Sequence, residues 1–188
     1  SSMFGGSLAA ALGLPHGFAS HFAPDELERS VAYYRANFQP SAQLDAPYVV
    51  AGVNVFAADT TEEAEAHLLT SQRRRVGLFV DRNRRFTDEE ADELLASRHG
   101  LHVQAMARCS AVGTPEQVAE TLSHWYLAHA ADGFNIMPDM FPSGVEIFVD
   151  EVVPLLQKRG LFRHEYTGST LREHLGLPFP GNQYALRA

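Results

Sequence analysis

The stretch from Ala111 to Gly144, AVGTPEQVAETLSHWYLAHAADGFNIMPDMFPSG, decides how the fold is read. Thr114 is placed to cap a helix, Pro115 suits its first position, and Gln117 stands three residues after the cap, where a capping box takes Glu or Gln. Val118, Leu122 and Trp125 recur at helical spacing and make one apolar stripe. Ala131-Asp132-Gly133 breaks the helix. Phe134-Asn135-Ile136-Met137 is short and mostly apolar, as a buried parallel strand is, and Pro138 and Pro142 stop it. The unit is a helix then a strand, with a loop at the strand's carboxyl end. In α/β proteins ligands sit at that end.

Working outward, Tyr48 to Ala58, YVVAGVNVFAA, is the clearest strand: β-branched and apolar on both faces, hence buried in a parallel sheet. Thr60 with Glu63 and Thr87 with Glu90 have capping-box spacing. The second pair opens FTDEEADELLASRHGLHVQAMARCS, read as a long helix with a break at Gly100. Upstream, Leu8, Ala9 and Leu12 form a short helix ended by Gly13, and Pro15 opens PHGFASHF, a short strand with polar His21 at its end. Pro24 and Asp25 start a helix with Leu27, Val31, Tyr34 and Phe38 on one face. Downstream, Val145 to Lys158 is a helix aligning Phe148, Val152 and Leu155, which Pro154 kinks or splits. Three strands, at about 16–20, 48–57 and 133–137, are each followed by helix. That alternation implies a parallel sheet with right-handed crossovers. Three strands are too few to close a barrel.

The 188 residues, 45% hydrophobic and 20% charged, suit one globular domain with a real core. A net charge of −8 and a pI near 5.5 argue against a nucleic-acid surface. Gln72 to Arg85, QRRRVGLFVDRNRR, is the local exception with six arginines. It reads as a solvated helix face plus loop, with contact to an anionic ligand or partner as the alternative. No apolar run of 18 residues and no charged-then-apolar leader is present, so no membrane association is expected. Cys109 is the lone cysteine, which leaves no intrachain disulfide and fits a reducing, cytoplasmic setting.

Nine histidines raise the question of a metal, but His99 and His102, or His124 and His129, have no further ligand at a regular zinc spacing. No GxSxG elbow, Walker loop or GxGxxG occurs. What remains is the opening, Ser1-Ser2-Met3-Phe4-Gly5-Gly6-Ser7: small hydroxyl residues and glycines before a helix, as at an anion site on a helix N-terminus. From composition alone, Ser1-Ser2 as expression remnants ahead of Met3 is the equal alternative.

Several passages together resemble the luciferase-like, flavin-dependent monooxygenases. They are residues 1–64, SSMFGGSLAAALGLPHGF through ADTTEEA; VGTPEQVAETL with ADGFNIM; and the closing FVDEVVPLLQKRGLFRHEYTGSTLREHLGL. The last resembles the subgroup that oxidises nitrilotriacetate and dibenzothiophene sulfone, whereas SHFAP and the Tyr48–Ala58 strand stand closer to the alkanal-type branch. The resemblance covers residues 1–177, with 178–188 an irregular tail. It implies the C-terminal half of a (β/α)8 TIM barrel, supplying strands six, seven and eight. It also implies FMN, with a deazaflavin as the same-fold alternative, molecular oxygen, and reduced flavin delivered by a separate flavin reductase or by a reduced nicotinamide. Ser1 and Ser2 then hold the flavin phosphate, and Ser20, His21 and Phe22 face the isoalloxazine or the substrate. Met137 to Phe141, with Met137, Asp139 and Phe141 as pocket residues, line the other side.

The resemblance leaves the catalytic group unassigned, because the family's first half normally carries it. A fragment, a half-barrel gene completed by another chain, and a decayed remnant are the three explanations open to the sequence. The second carries a different function: a non-catalytic half-barrel that self-associates or pairs with a partner chain. A half-barrel exposes an apolar sheet edge, so homo-oligomerisation is expected. Light scattering at micromolar concentration tests this, and a clean monomer opposes it.

Overall fold

The computed structural model describes residues 2–20, 24–174 and 176–182. Its organising strand is β2 (Val49–Ala57), buried along almost its whole length. β4 (Gly133–Pro138) pairs with it in parallel over Val50–Val55. β1 (His16–Phe18) pairs in parallel with Val49–Ala51, and β3 (Ser110–Gly113) with Asn54–Ala57. Both registers overlap that of β4, so β1 and β3 must share the opposite edge of β2, one after the other.

Strand alternation sends the odd residues of β2 to one face. There Val53, Val55 and Ala57 pack with Ala111, Val118, Ala119 and Leu122. Val118, Ala119 and Leu122 belong to α6 (Pro115–Leu127), whose start carries the capping box expected of Thr114 and Gln117. Val49 and Ala51 pack instead on α1 (Met3–Leu12) and α2 (Pro24–Asn37), through Ala9, Ala10, Val31 and Tyr34. The left-handed turn that ends α1 falls at Gly13, φ 63°, where a glycine avoids the Cβ penalty. Leu8 and Leu12 stay exposed; the small residues of α1, not its leucines, meet the core.

Two polar clamps tie these layers together. Tyr34 is fully buried, and its hydroxyl donates to Leu14 O at 2.9 Å while accepting from Tyr48 N at 3.0 Å. Asp132 Oδ2 accepts from Val49 N at 2.7 Å and from Arg35 Nη2 at 2.9 Å, joining α2, β2 and the turn before β4.

Between β2 and β3 lie α3 (Thr61–Val80), α4 (Asp88–Ala96) and α5 (Gly100–Met106), which share a small core of Val76, Ala91, Leu95 and Val103. Thr60 caps α3 by accepting from Glu63 N, and Thr87 with Glu90 forms a complete capping box on α4. Two of the six arginines of that stretch are paired: Arg73 bridges Asp88 and Asp92, and Arg84 pairs with Glu90.

Three expectations need correction. The segment read as a helix with a break at Gly100 breaks three residues earlier, at Ser97, and Gly100 opens the next helix. The Ser97 hydroxyl donates to Leu94 O at 2.7 Å and competes with the helical ladder. The segment's end is not helical, since Ser110 to Gly113 forms β3 and makes the sheet four-stranded. Four residues are too short to show alternation, and only the open edge of β2 recruits them. The strand expected over 16–20 stops at Phe18. Pro154 acts as foreseen. Between α7 (Ser143–Ile147) and α8 (Val153–Lys158) the helix widens into a π turn over Phe148–Val152, the kind of bulge that absorbs a missing N–H. A last short helix, α9, spans Leu171–His174.

Replacing Tyr34 by Phe should lower unfolding stability by about 1–3 kcal/mol, because Tyr48 N–H and Leu14 C=O lose a partner inside the protein. Urea denaturation measures it; an unchanged midpoint would show that the clamp is immaterial.

Candidate functional site

All four strands are parallel, so their carboxyl ends lie along one side of the sheet. The even residues of β2 and their register partners form the face turned away from α1, α2 and α6. Met137 lies on it opposite Asn54, and Asp139 follows just past the strand end. Asp139 N donates to Val55 O at 3.1 Å, which extends the ladder by one residue and fixes the main chain there.

Two side chains of α3 reach this face, one of them at the strand ends. His67 Nδ1 lies 3.0 Å from Asp139 Oδ2, with the imidazole 26% and the carboxylate 5% exposed. The two atoms face each other without a formed hydrogen bond, and neither has another hydrogen-bond partner among the described residues. Gly144 makes room, because a Cβ there would come within 2.6 Å of Asp139 Oδ1. Arg75 Nη2 donates to Asn54 Oδ1 at 3.0 Å, and burial lowers the guanidinium below its ordinary value. Ala64, His67, Ser71 and Arg75 recur at spacings of three and four, so one stripe of α3 delivers both contacts.

The expected site residues separate. Met137 is half-buried and Asp139 buried at the strand ends, while Phe141 is exposed further along the loop. Ser2 is exposed and caps α1, its hydroxyl accepting from Gly5 N at 3.4 Å. Ser20 is buried, and its hydroxyl donates to Gly52 O at 2.6 Å. It lines a cavity of about 630 Å3 on the helix-facing side, with Val31, Trp125 and Phe134. Ser20 lies in the turn that follows β1, where its N–H donates to Phe18 O at 2.9 Å and, with the bond to Gly52, sets its place. Ser1, His21 and Phe22 lie outside the described residues.

Asn54, His67 and Arg75 were missed. Asn54 carried a signal: a lone amide inside an apolar strand is buried only with a partner. No set of three or more His, Cys, Asp or Glu suited to a metal occurs among the described residues, and no described helix is long and apolar enough to cross a membrane.

Comparison with known proteins gives this arrangement a context. The sequence profile of the family described as luciferase-like monooxygenase matches residues 1–132. A curated relative named N-acetyl-S-(2-succino)cysteine monooxygenase, from Bacillus subtilis (strain 168), is 50% identical over 99 residues, 53% of this chain and 21% of its own length. Nitrilotriacetate monooxygenase component A from Aminobacter aminovorans is 55% identical over 73 residues, 39% of this chain and 16% of its own. The solved structure of an EDTA monooxygenase from Chelativorans sp. BNC1 superposes with a TM-score of 0.64 at 30% identity, covering 92% of this chain and 46% of that one. The chain thus spans less than half the length of that structure.

His16, behind the sheet, generates a pH dependence. Its ring is buried against α2, Nε2 lying 3.2 Å from Ser30 Oγ, and burial lowers its pKa from the ordinary 6.5. The unfolded chain therefore takes up this proton at a higher pH than the folded one. Stability is full above about 6.5 and is lost as pH falls through that value toward the lowered one. Denaturation midpoints between pH 8 and 5 should fall more steeply in wild type than in His16→Gln; parallel slopes would refute this.

Proposed function

The chain belongs to the luciferase-like monooxygenase family, and from that premise we propose that it forms the carboxyl-terminal part of a flavin-dependent monooxygenase site. The observation that carries the reading is the His67–Asp139 pair at the carboxyl ends of parallel strands, where barrel enzymes keep their chemistry; Arg75 on Asn54 lies further back along the same face of β2. When bound, reduced FMN supplies two electrons to molecular oxygen, so that one oxygen atom enters the organic substrate and the other leaves as water.

The residues suit the cofactor's phosphate. α1 has ten residues, an exposed hydroxyl cap at Ser2 and no acidic residue in its first turn. A phosphate there meets free N–H groups and the positive end of the helix dipole. Ser1 and Ser2 hold the phosphate in this proposal, and His21 faces the flavin ring. Ser20 contributes by anchoring that segment to Gly52. Phe22, Met137, Asp139 and Phe141 border the substrate, a small organic molecule. A deazaflavin fits the same phosphate contacts.

Reduced flavin comes from a separate reductase in this reading, as the words "component A" in the relative's name support. The second edge of β4 pairs with nothing among the described residues, although Phe134, Ile136 and Met137 remain half-buried. A further strand, from the same polypeptide or a second copy, completes the pairing.

Titration with FMN and riboflavin separates the phosphate contact from the ring contact. FMN should bind more tightly, and Ser2→Ala should weaken FMN alone by about threefold to tenfold, the value of one hydrogen bond. No binding of either flavin would overturn the reading.

A further inference from the structure

The strand-end site contains a carboxylate–imidazole pair, Asp139 with His67, whose imidazole has been given no role. We propose that His67 is the proton-transferring group of this site and that Asp139 positions it; the proposal rests on the flavin monooxygenase reading above.

Four observations support it. Asp139 is held at its backbone by the Val55 carbonyl, and its carboxylate lies close against Gly144, which restricts where that carboxylate can sit. Its Oδ2 faces Nδ1 of His67, which favours the tautomer with the proton on Nδ1 and leaves Nε2 to accept or deliver one. Nε2 has no protein partner among the described residues, and the ring is a quarter exposed, so it can exchange protons with solvent. Lastly, the same stripe of α3 places Arg75 on Asn54, which steadies the helix across the even face. A histidine serving only packing would need neither the buried carboxylate nor the accessible nitrogen.

The step is a simple proton transfer. Imidazolium Nε2–H gives its proton to the oxygen atom that leaves as water; the N–H bond breaks and an O–H bond forms. Neutral imidazole remains, held by Asp139, and regains a proton from solvent at its exposed edge. The electrons come from reduced flavin and the oxygen from O2, so His67 undergoes no redox change. With no organic substrate, reduced FMN and O2 give FMN and hydrogen peroxide, with two electrons and two protons passing to oxygen. His67 delivers one of those protons.

The test uses the chain with chemically reduced FMN mixed with oxygenated buffer, following flavin reoxidation by absorbance. His67→Ala should slow reoxidation about 100-fold while FMN affinity changes less than threefold, and added free imidazole should restore much of the rate. Asp139→Asn should slow it about tenfold without responding to imidazole, since the ring is present but poorly held. Where His67→Ala fails to fold, His67→Gln retains the side-chain bulk and serves in its place. A second readout needs no turnover: the Cε1–H resonance of His67 should shift when oxidised FMN is added. Unaltered reoxidation in a flavin-binding His67 variant, or a His67 signal blind to FMN that the chain does bind, would overturn the proposal and leave the flavin reading intact. A wild-type chain that binds no flavin would overturn both.

Discussion

The structure depends on the double-edged pairing of β2. Its nine residues carry parallel ladders on both edges, β4 along one and β1 then β3 along the other. A strand paired on both sides satisfies its own N–H and C=O groups, so it can be apolar on both faces. Those faces then need cover, which sets the positions of the helices. α1, α2 and α6 cover the odd face, and α3 crosses the even face near its carboxyl end.

The division of faces is also the division of labour. The odd face is packing, closed by Tyr34, Asp132 and apolar side chains, and it holds Ser20 and His16 as satisfied polar residues. The even face accepts polarity: Asn54 in mid-strand, Asp139 at the strand end, and the Arg75 and His67 that answer them from α3. A buried amide or carboxylate is costly without a partner, so the site and the seating of α3 are one arrangement. The flavin phosphate corner proposed at Ser2 lies on a separate element, the exposed start of α1.

Local chemistry made much of this legible. The caps at Thr60, Thr87 and Thr114 and the left-handed Gly13 depend on residues three or four apart, and each formed where its spacing placed it. Pro154 announced its bulge for the same reason. Asp139 and Met137 were legible as strand-end residues, because a loop after a parallel strand has one place to go.

What the chain alone determined is therefore its class: helix–strand units, a central strand buried on both faces, and a family likeness carried by motifs from residue 1 to residue 177. Only the tertiary structure decided the rest. β3 exists because β2 offers Asn54–Ala57 an unpaired edge. Ser20 took its place because the turn after β1 and the neighbouring carbonyl of Gly52 hold it there. His67 met Asp139 across 72 residues because α3 folds back over the strand ends. Contacts between residues so distant depend on how covered faces and open edges are shared among elements. No single segment holds that information.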